Sequence, residues 1–121
     1  MFPTASYPIR ANRYVLHTDH IDVVGYDFTG ATFAMEVRDT YNGGTVRASI
    51  TPTVAVTVTE GVPTSRVTWV IPKATMAAMP LDQSDPTKDV TLYYDLQIDP
   101  SVGDSFVAWR GTFVVVAGSV Q

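Results

Sequence analysis

The sequence predicts an all-β domain, an immunoglobulin-like antiparallel β-sandwich of about seven to nine strands. Three observations predict it. Apolar residues recur with period two over most of the 121 residues, which is the spacing of a strand with one buried face. Turn-forming residues fall at roughly 8–12-residue intervals, the rhythm of sandwiches and small barrels. Only one stretch, Pro72–Pro80, reads as helical. A small barrel fits the same spacing; the sandwich is preferred, and with no cysteine it is of the cysteine-free kind.

The clearest element is a hairpin from Val90 to Val116. Val90, Leu92, Tyr94, Leu96 and Ile98 share one parity, and Thr91, Tyr93, Asp95 and Gln97 the other. Pro100, Gly103 and Asp104 form the connection. On the return arm Val107, Trp109, Phe113 and Val115 share a parity, with Gly111 among them. A glycine inside a strand marks a bulge or a close backbone approach. Tyr93 or Tyr94 is placed to serve as a tyrosine corner.

From the N-terminus, residues 1–13 hold Pro3 and Pro8, which disfavour helix. They are expected to form an extended arm apart from a single domain at 14–121. The arm is read either as a tail, loose or lying along a sheet edge, or as a clip onto a neighbouring subunit. In the second reading Phe2, Tyr7, Ile9, Arg10 and Arg13 are the partner-binding residues, since apolar area left in water costs ~25 cal/mol per Å².

Tyr14–Leu16 is expected as a short strand, and Ile21, Val23 and Val24 as a second, ended by Gly25. Asp27–Gly30 reads as a tight turn. Phe33, Met35 and Val37 then point inward, with Ala34, Glu36 and Arg38 outward. Tyr41–Gly44 is a hairpin turn, because Asn-Gly favours the backbone of a two-residue connection. Val46, Ala48 and Ile50 continue the alternation, Pro52 interrupts it, and Val54, Val56 and Val58 resume it. Glu60–Thr64 is expected as a loop. Val67, Trp69 and Ile71 share a face, with Trp69 at the centre of the core. A helical turn near residues 73–79 is too short to stand alone and is expected to plug one end of the sandwich with Met76 or Met79. Leu81–Asp89 is a polar loop.

Composition excludes several functions. The formal net charge is −4, without a cluster of Lys or Arg, so a nucleic-acid partner is not expected. No apolar run reaches the roughly 18 residues of a membrane span, and the N-terminus lacks the apolar core of a secretory signal. No membrane partner is expected, and synthesis in a cytosol is.

The search for chemistry is also largely negative. His17, Asp19, His20 and Asp22 have metal-binding side chains, but strand alternation puts only His17 and Asp19 on one face. Asp82, Asp85 and Asp89 lack the spacing of a calcium loop. Glu36 and Glu60 have no evident carboxylate partner, and Asp95 lies on a wet face. No Gly-x-Ser-x-Gly or glycine-rich phosphate loop occurs. The expectation is a non-enzymatic protein without metal or cofactor. Tyr41, Tyr93 and Trp109 are candidates for stacking on sugars, although the parity of Trp109 suits the core better.

The blocks YDFTGATFAMEVRD, VTWVIP and VTLYYDLQIDPSVGDSFVAWRGTFVVV together resemble small immunoglobulin-like structural proteins of tailed bacteriophage virions. They are similar to the N-terminal domain of phage baseplate upper proteins. Asp27, Thr29, Gly30, Ala31, Thr32, Tyr94, Asp95, Leu96 and Gly111 carry the resemblance, across residues 26–117. It implies a virion protein, made in the host cytoplasm, that binds capsid, portal or tail components in multiple copies. Members of that family continue into further segments after this domain, whereas here the last strand runs almost to Gln121. The expectation is therefore a stand-alone accessory or adaptor of the tail, baseplate or head–tail region. The alternatives are a capsid decoration protein and a module that binds glycans or a host surface.

Overall fold

A computed structural model describes residues 5–40, 44–82, 84–85, 87–101 and 103–117. Among them are β1 (Ala5–Ser6), β2 (Ile9–Asn12), β3 (His17–Val24), β4 (Thr32–Arg38), β5 (Val46–Ile50), β6 (Thr53–Thr59), β7 (Val62–Ile71), α1 (Lys73–Ala77), β8 (Val90–Asp99) and β9 (Phe106–Val116). The larger sheet runs β1-β9-β8-β4-β5, with β2 also paired to β9. The smaller sheet runs β3-β7-β6. This is the strand order of an immunoglobulin-like sandwich. The larger sheet is mixed rather than wholly antiparallel, because β1 and β2 both run parallel to β9.

The core lies between the sheets. Met35 and Val37 of β4, Leu96 and Ile98 of β8, and Phe113 and Val115 of β9 face Val67, Trp69 and Ile71 of β7. Each such side chain taken from water stabilises the fold by about 1.5–3 kcal/mol. Met76 on α1 and Met79 just after it are both buried, so the helical turn closes one end as expected. The hairpin of β8 and β9 pairs from Val90↔Val115 to Ile98↔Phe106.

Four local expectations need correction. Tyr14–Leu16 is not a strand. The Asn12 carboxamide accepts from the Tyr14 N–H at 3.1 Å and the Asn12 carbonyl from the Val15 N–H at 3.4 Å, folding the segment into a turn. The loop drawn at Glu60–Thr64 shrinks to two residues. Glu60 and Gly61 have φ of 52° and 79°, the two positive angles that let a short hairpin follow the strand twist. The irregularity in β9 falls at Ala108, between Gln97↔Val107 and Leu96↔Trp109. It lets both Ala108 and Trp109 be buried and brings Phe106 opposite Ile98. Val46, expected inward, is exposed on edge strand β5.

The predicted turn Tyr41–Gly44 connects β4 and β5, which pair antiparallel; its residues 41–43 lie outside the described residues.

Candidate functional site

The residues expected to bind a partner are mostly held by the chain itself. β1 and β2 follow β9 in parallel, Ala5↔Trp109 and Ile9↔Phe113 through Asn12↔Val116. Between them Tyr7 and Pro8 keep the same register, from Ser6↔Arg110 to Ile9↔Phe113. The Tyr7 N–H donates to the Arg110 carbonyl at 3.2 Å. The Tyr7 carbonyl accepts from the Tyr94 hydroxyl at 2.5 Å. Gly111 makes room for that carbonyl, since a Cβ there would lie 2.7 Å from the Tyr7 oxygen. Gly111 thus marks a close approach, one of its two sequence readings. Tyr94 anchors a distant segment, 87 positions away, rather than a turn just upstream as in a tyrosine corner.

Ile9 is buried against this sheet and Arg13 is 1% exposed. Arg13 Nη1 donates to the Met79 carbonyl at 2.5 Å and Nη2 to the Pro80 carbonyl at 2.8 Å. Its guanidinium satisfies carbonyls left free where α1 ends, and its Nε has no partner among the described residues. The boundary drawn after Arg13 therefore cuts through contacts that complete the domain. Ile9 and Arg13 are not presented to a neighbour. Arg10 is exposed and pairs with Asp89 at 3.2 Å. Tyr7 is half-buried, and Phe2 lies outside the described residues.

The four metal-type residues of β3 separate as alternation requires. His20 and Asp22 are exposed, and His17 and Asp19 turn toward the other sheet. His17 Nε2 accepts from Trp69 Nε1 at 3.2 Å, and its ring meets Phe113 edge-on. The Tyr7 hydroxyl donates to Asp19 at 3.4 Å, and its ring meets Trp69 edge-on. Burial pushes the His17 imidazole below its ordinary pKa, opposed by the nearby Asp19 carboxylate. Burial and then Asp19 raise the Tyr7 phenol. These five side chains, Tyr7, His17, Asp19, Trp69 and Phe113, join the N-terminal segment to the inner face of β3. Asp22 instead pairs with Arg66 at 2.7 Å, which lowers its carboxyl pKa through the charged hydrogen bond. With Ala55, Thr57 and Thr64 this pair lines an open depression of about 390 Å³.

The loop carboxylates do not converge either. Asp82 Oδ1 accepts from the Ser84 N–H and hydroxyl and from the Asp85 N–H. Asp85 Oδ1 accepts from Thr87 in the same way. Asp89 Oδ1 takes the Ala117 N–H at 3.0 Å. Asp82 and Asp85 hold backbone within their own loop, and Asp89 holds the distant Ala117 and Arg10, so the three serve no common centre. Among the described residues no three His, Asp or Glu side chains are placed to share an ion.

Sequence reasoning missed two arrangements. Glu36 forms an ion pair with Arg38, two positions along the same strand face. The buried Ser65 hydroxyl donates to the Tyr26 carbonyl at 2.7 Å and accepts from the Phe28 N–H at 2.9 Å. It pins the turn after β3, where Asp27 also holds Thr29. The Glu36–Arg38 pair was legible from period two; nothing local to Ser65 announced a loop 37 positions earlier. Of the candidate sugar-stacking residues, Trp109 is core at 5% exposure, and Tyr93 lies half-buried on the outer face opposite Arg38 and Thr112. Tyr41 lies outside the described residues.

No protein-family model matches the chain, and no curated protein or solved structure matches it.

Proposed function

We propose that this chain is a non-enzymatic structural protein of a bacteriophage virion. It serves as an accessory or adaptor of the tail, baseplate or head–tail region and acts by binding other virion proteins. One observation carries the reading: five of the nine residues that carry the resemblance to phage immunoglobulin-like domains, Asp27, Thr29, Gly30, Tyr94 and Gly111, also hold turns and strand contacts of the scaffold. Asp27 turns the chain onto Thr29, Gly30 takes φ of 80°, Tyr94 fixes Tyr7, and Gly111 admits the Tyr7 carbonyl. The neighbouring ionisable groups stabilise turns and strand pairs. What the molecule offers a partner is sheet edges and outer faces. Edges carry unpaired N–H and C=O groups suited to strand addition, and many copies on a symmetric particle make modest contacts effective.

The test is attachment of purified protein to particles assembled without it, imaged by electron microscopy. Density at one symmetry-related set of positions is the expected result, and its location separates tail, head–tail junction and capsid surface. Particles that stay bare, beside a glycan array that lights up and fades with Tyr93→Ala, would replace this reading with the glycan-binding one.

A further inference from the structure

Among the described residues the two sheets have four edges, and they are guarded unequally. The β1/β2 edge is broken by Pro8 and carries Arg10. β5 carries Arg47, paired with Asp39 at 2.8 Å, and its register with β4 shifts between Val37 and Arg38. β3 carries His17, Asp19, His20 and Asp22. Charges, prolines and bulges are the usual means by which an edge is kept from pairing with another chain. β6 has none of them. Its sequence is Thr-Val-Ala-Val-Thr-Val-Thr, and its register with β7 runs unbroken from Thr53↔Thr68 to Thr59↔Val62. Pro52 and Glu60 stand just outside it and fix its ends.

We propose that the free edge of β6 pairs antiparallel with β6 of a second copy of this chain, across a two-fold axis at Val56. The sequence of the strand selects that occupant. A two-fold contact requires each residue to face its own symmetry mate's counterpart, and β6 is nearly palindromic about Val56. Val56 meets Val56, Val54 meets Val58, and Thr53 meets Thr59; only Ala55 and Thr57 differ. A foreign strand would impose no such symmetry. No like charges oppose each other, and the inward row of valines becomes continuous. Val58, on that row and 64% exposed, gains a valine partner. Two three-stranded sheets become one of six strands. The pairing stands on the edge itself and does not require the virion role.

A contact of one strand falls below the roughly 1,200 Å² that separates ordinary interfaces from weak ones. The test is sedimentation of the full chain from roughly 5 to 500 µM, the range in which such a weak contact forms. The mass is expected to double across it. Val58→Lys, at an exposed position, is expected to raise the midpoint by about tenfold. The chain has no native cysteine, so Val56→Cys supplies a single thiol that oxidises to a covalent dimer only if the axis passes there; Ser49→Cys on β5 is the control. A monomer at every concentration overturns the proposal. So does a dimer that Val58→Lys leaves intact and Val56→Cys does not capture. A chain that stays monomeric yet attaches to particles overturns the pairing alone, and a paired chain that attaches to none overturns the virion role alone.

Discussion

The N-terminal edge and the β6 edge are the two extremes of this sandwich. At the first, the chain covers β9 with its own residues and locks them by side chains from remote positions. Tyr94 holds the Tyr7 carbonyl, Gly111 yields space for it, and Arg13 reaches the end of α1. At the second, a regular uncharged strand has, among the described residues, one strand neighbour, β7. The difference teaches that closing an edge takes specific long-range contacts, whereas leaving one open takes only alternation.

The largest effect is expected from Arg13→Ala. The buried Met79 carbonyl and the half-buried Pro80 carbonyl lose their donors, at about 1–3 kcal/mol each. The melting temperature should fall by roughly 10–20 °C, measured by calorimetry. A loss of a degree or two would mean that the guanidinium contacts contribute little. Next is Gly111→Ala, whose methyl group meets backbone and cannot be accommodated by a rotamer change. Overpacking of this kind costs about 1–3 kcal/mol. Hydrogen exchange should quicken most at Ser6 and Tyr7, beside the new methyl; protection lost evenly over the whole sheet would show that the N-terminal lock is not a local device.

Tyr94→Phe removes one hydrogen bond and keeps the ring, so about 1 kcal/mol is expected, read from the urea midpoint. A smaller effect concerns pH. His17 has a folded pKa below its usual 6.5 because burial disfavours the imidazolium. The unfolded chain therefore takes up the proton first. Stability from the neutral ring is complete above pH 6.5 and declines as pH falls toward the lower folded value. Protonation would also remove the acceptor that Nε2 offers Trp69. His17→Gln keeps an acceptor and does not titrate, so it should flatten the decline; an equal slope in both proteins would clear His17 of the effect. The carboxyls of Asp22 and Asp39 are held below their ordinary range by Arg66 and Arg47. The smallest effect belongs to the open edge. Val58→Lys should change the stability of the monomer by less than about 0.5 kcal/mol, since the side chain is already largely in water. A large loss would show that β6 is a structural edge like the first.

Much of the fold was legible because parity is local. The rows Phe33–Met35–Val37, Val67–Trp69–Ile71 and Leu92–Tyr94–Leu96–Ile98 are buried as the alternation requires. His17 and Asp19 part from His20 and Asp22 for the same reason. The errors fall where a contact from far along the chain overrode local preference. Residues 5–12 contain a proline and resemble an arm, but a β9 edge with Gly111 at its middle accepts them. Arg13 reads from the sequence as a partner-binding residue of the arm, and is buried because its guanidinium donates to carbonyls where α1 ends.

By itself the sequence determined the alternating strands from β4 onward, most of their inward faces, the helical plug and the uncharged character of β6, since each depends on neighbours within a few positions. The tertiary structure alone decided which strands lie at the edges, which of those edges the chain covers, and which charges meet. Those outcomes depend on groups tens of residues apart, brought together only when the two sheets close on their shared core.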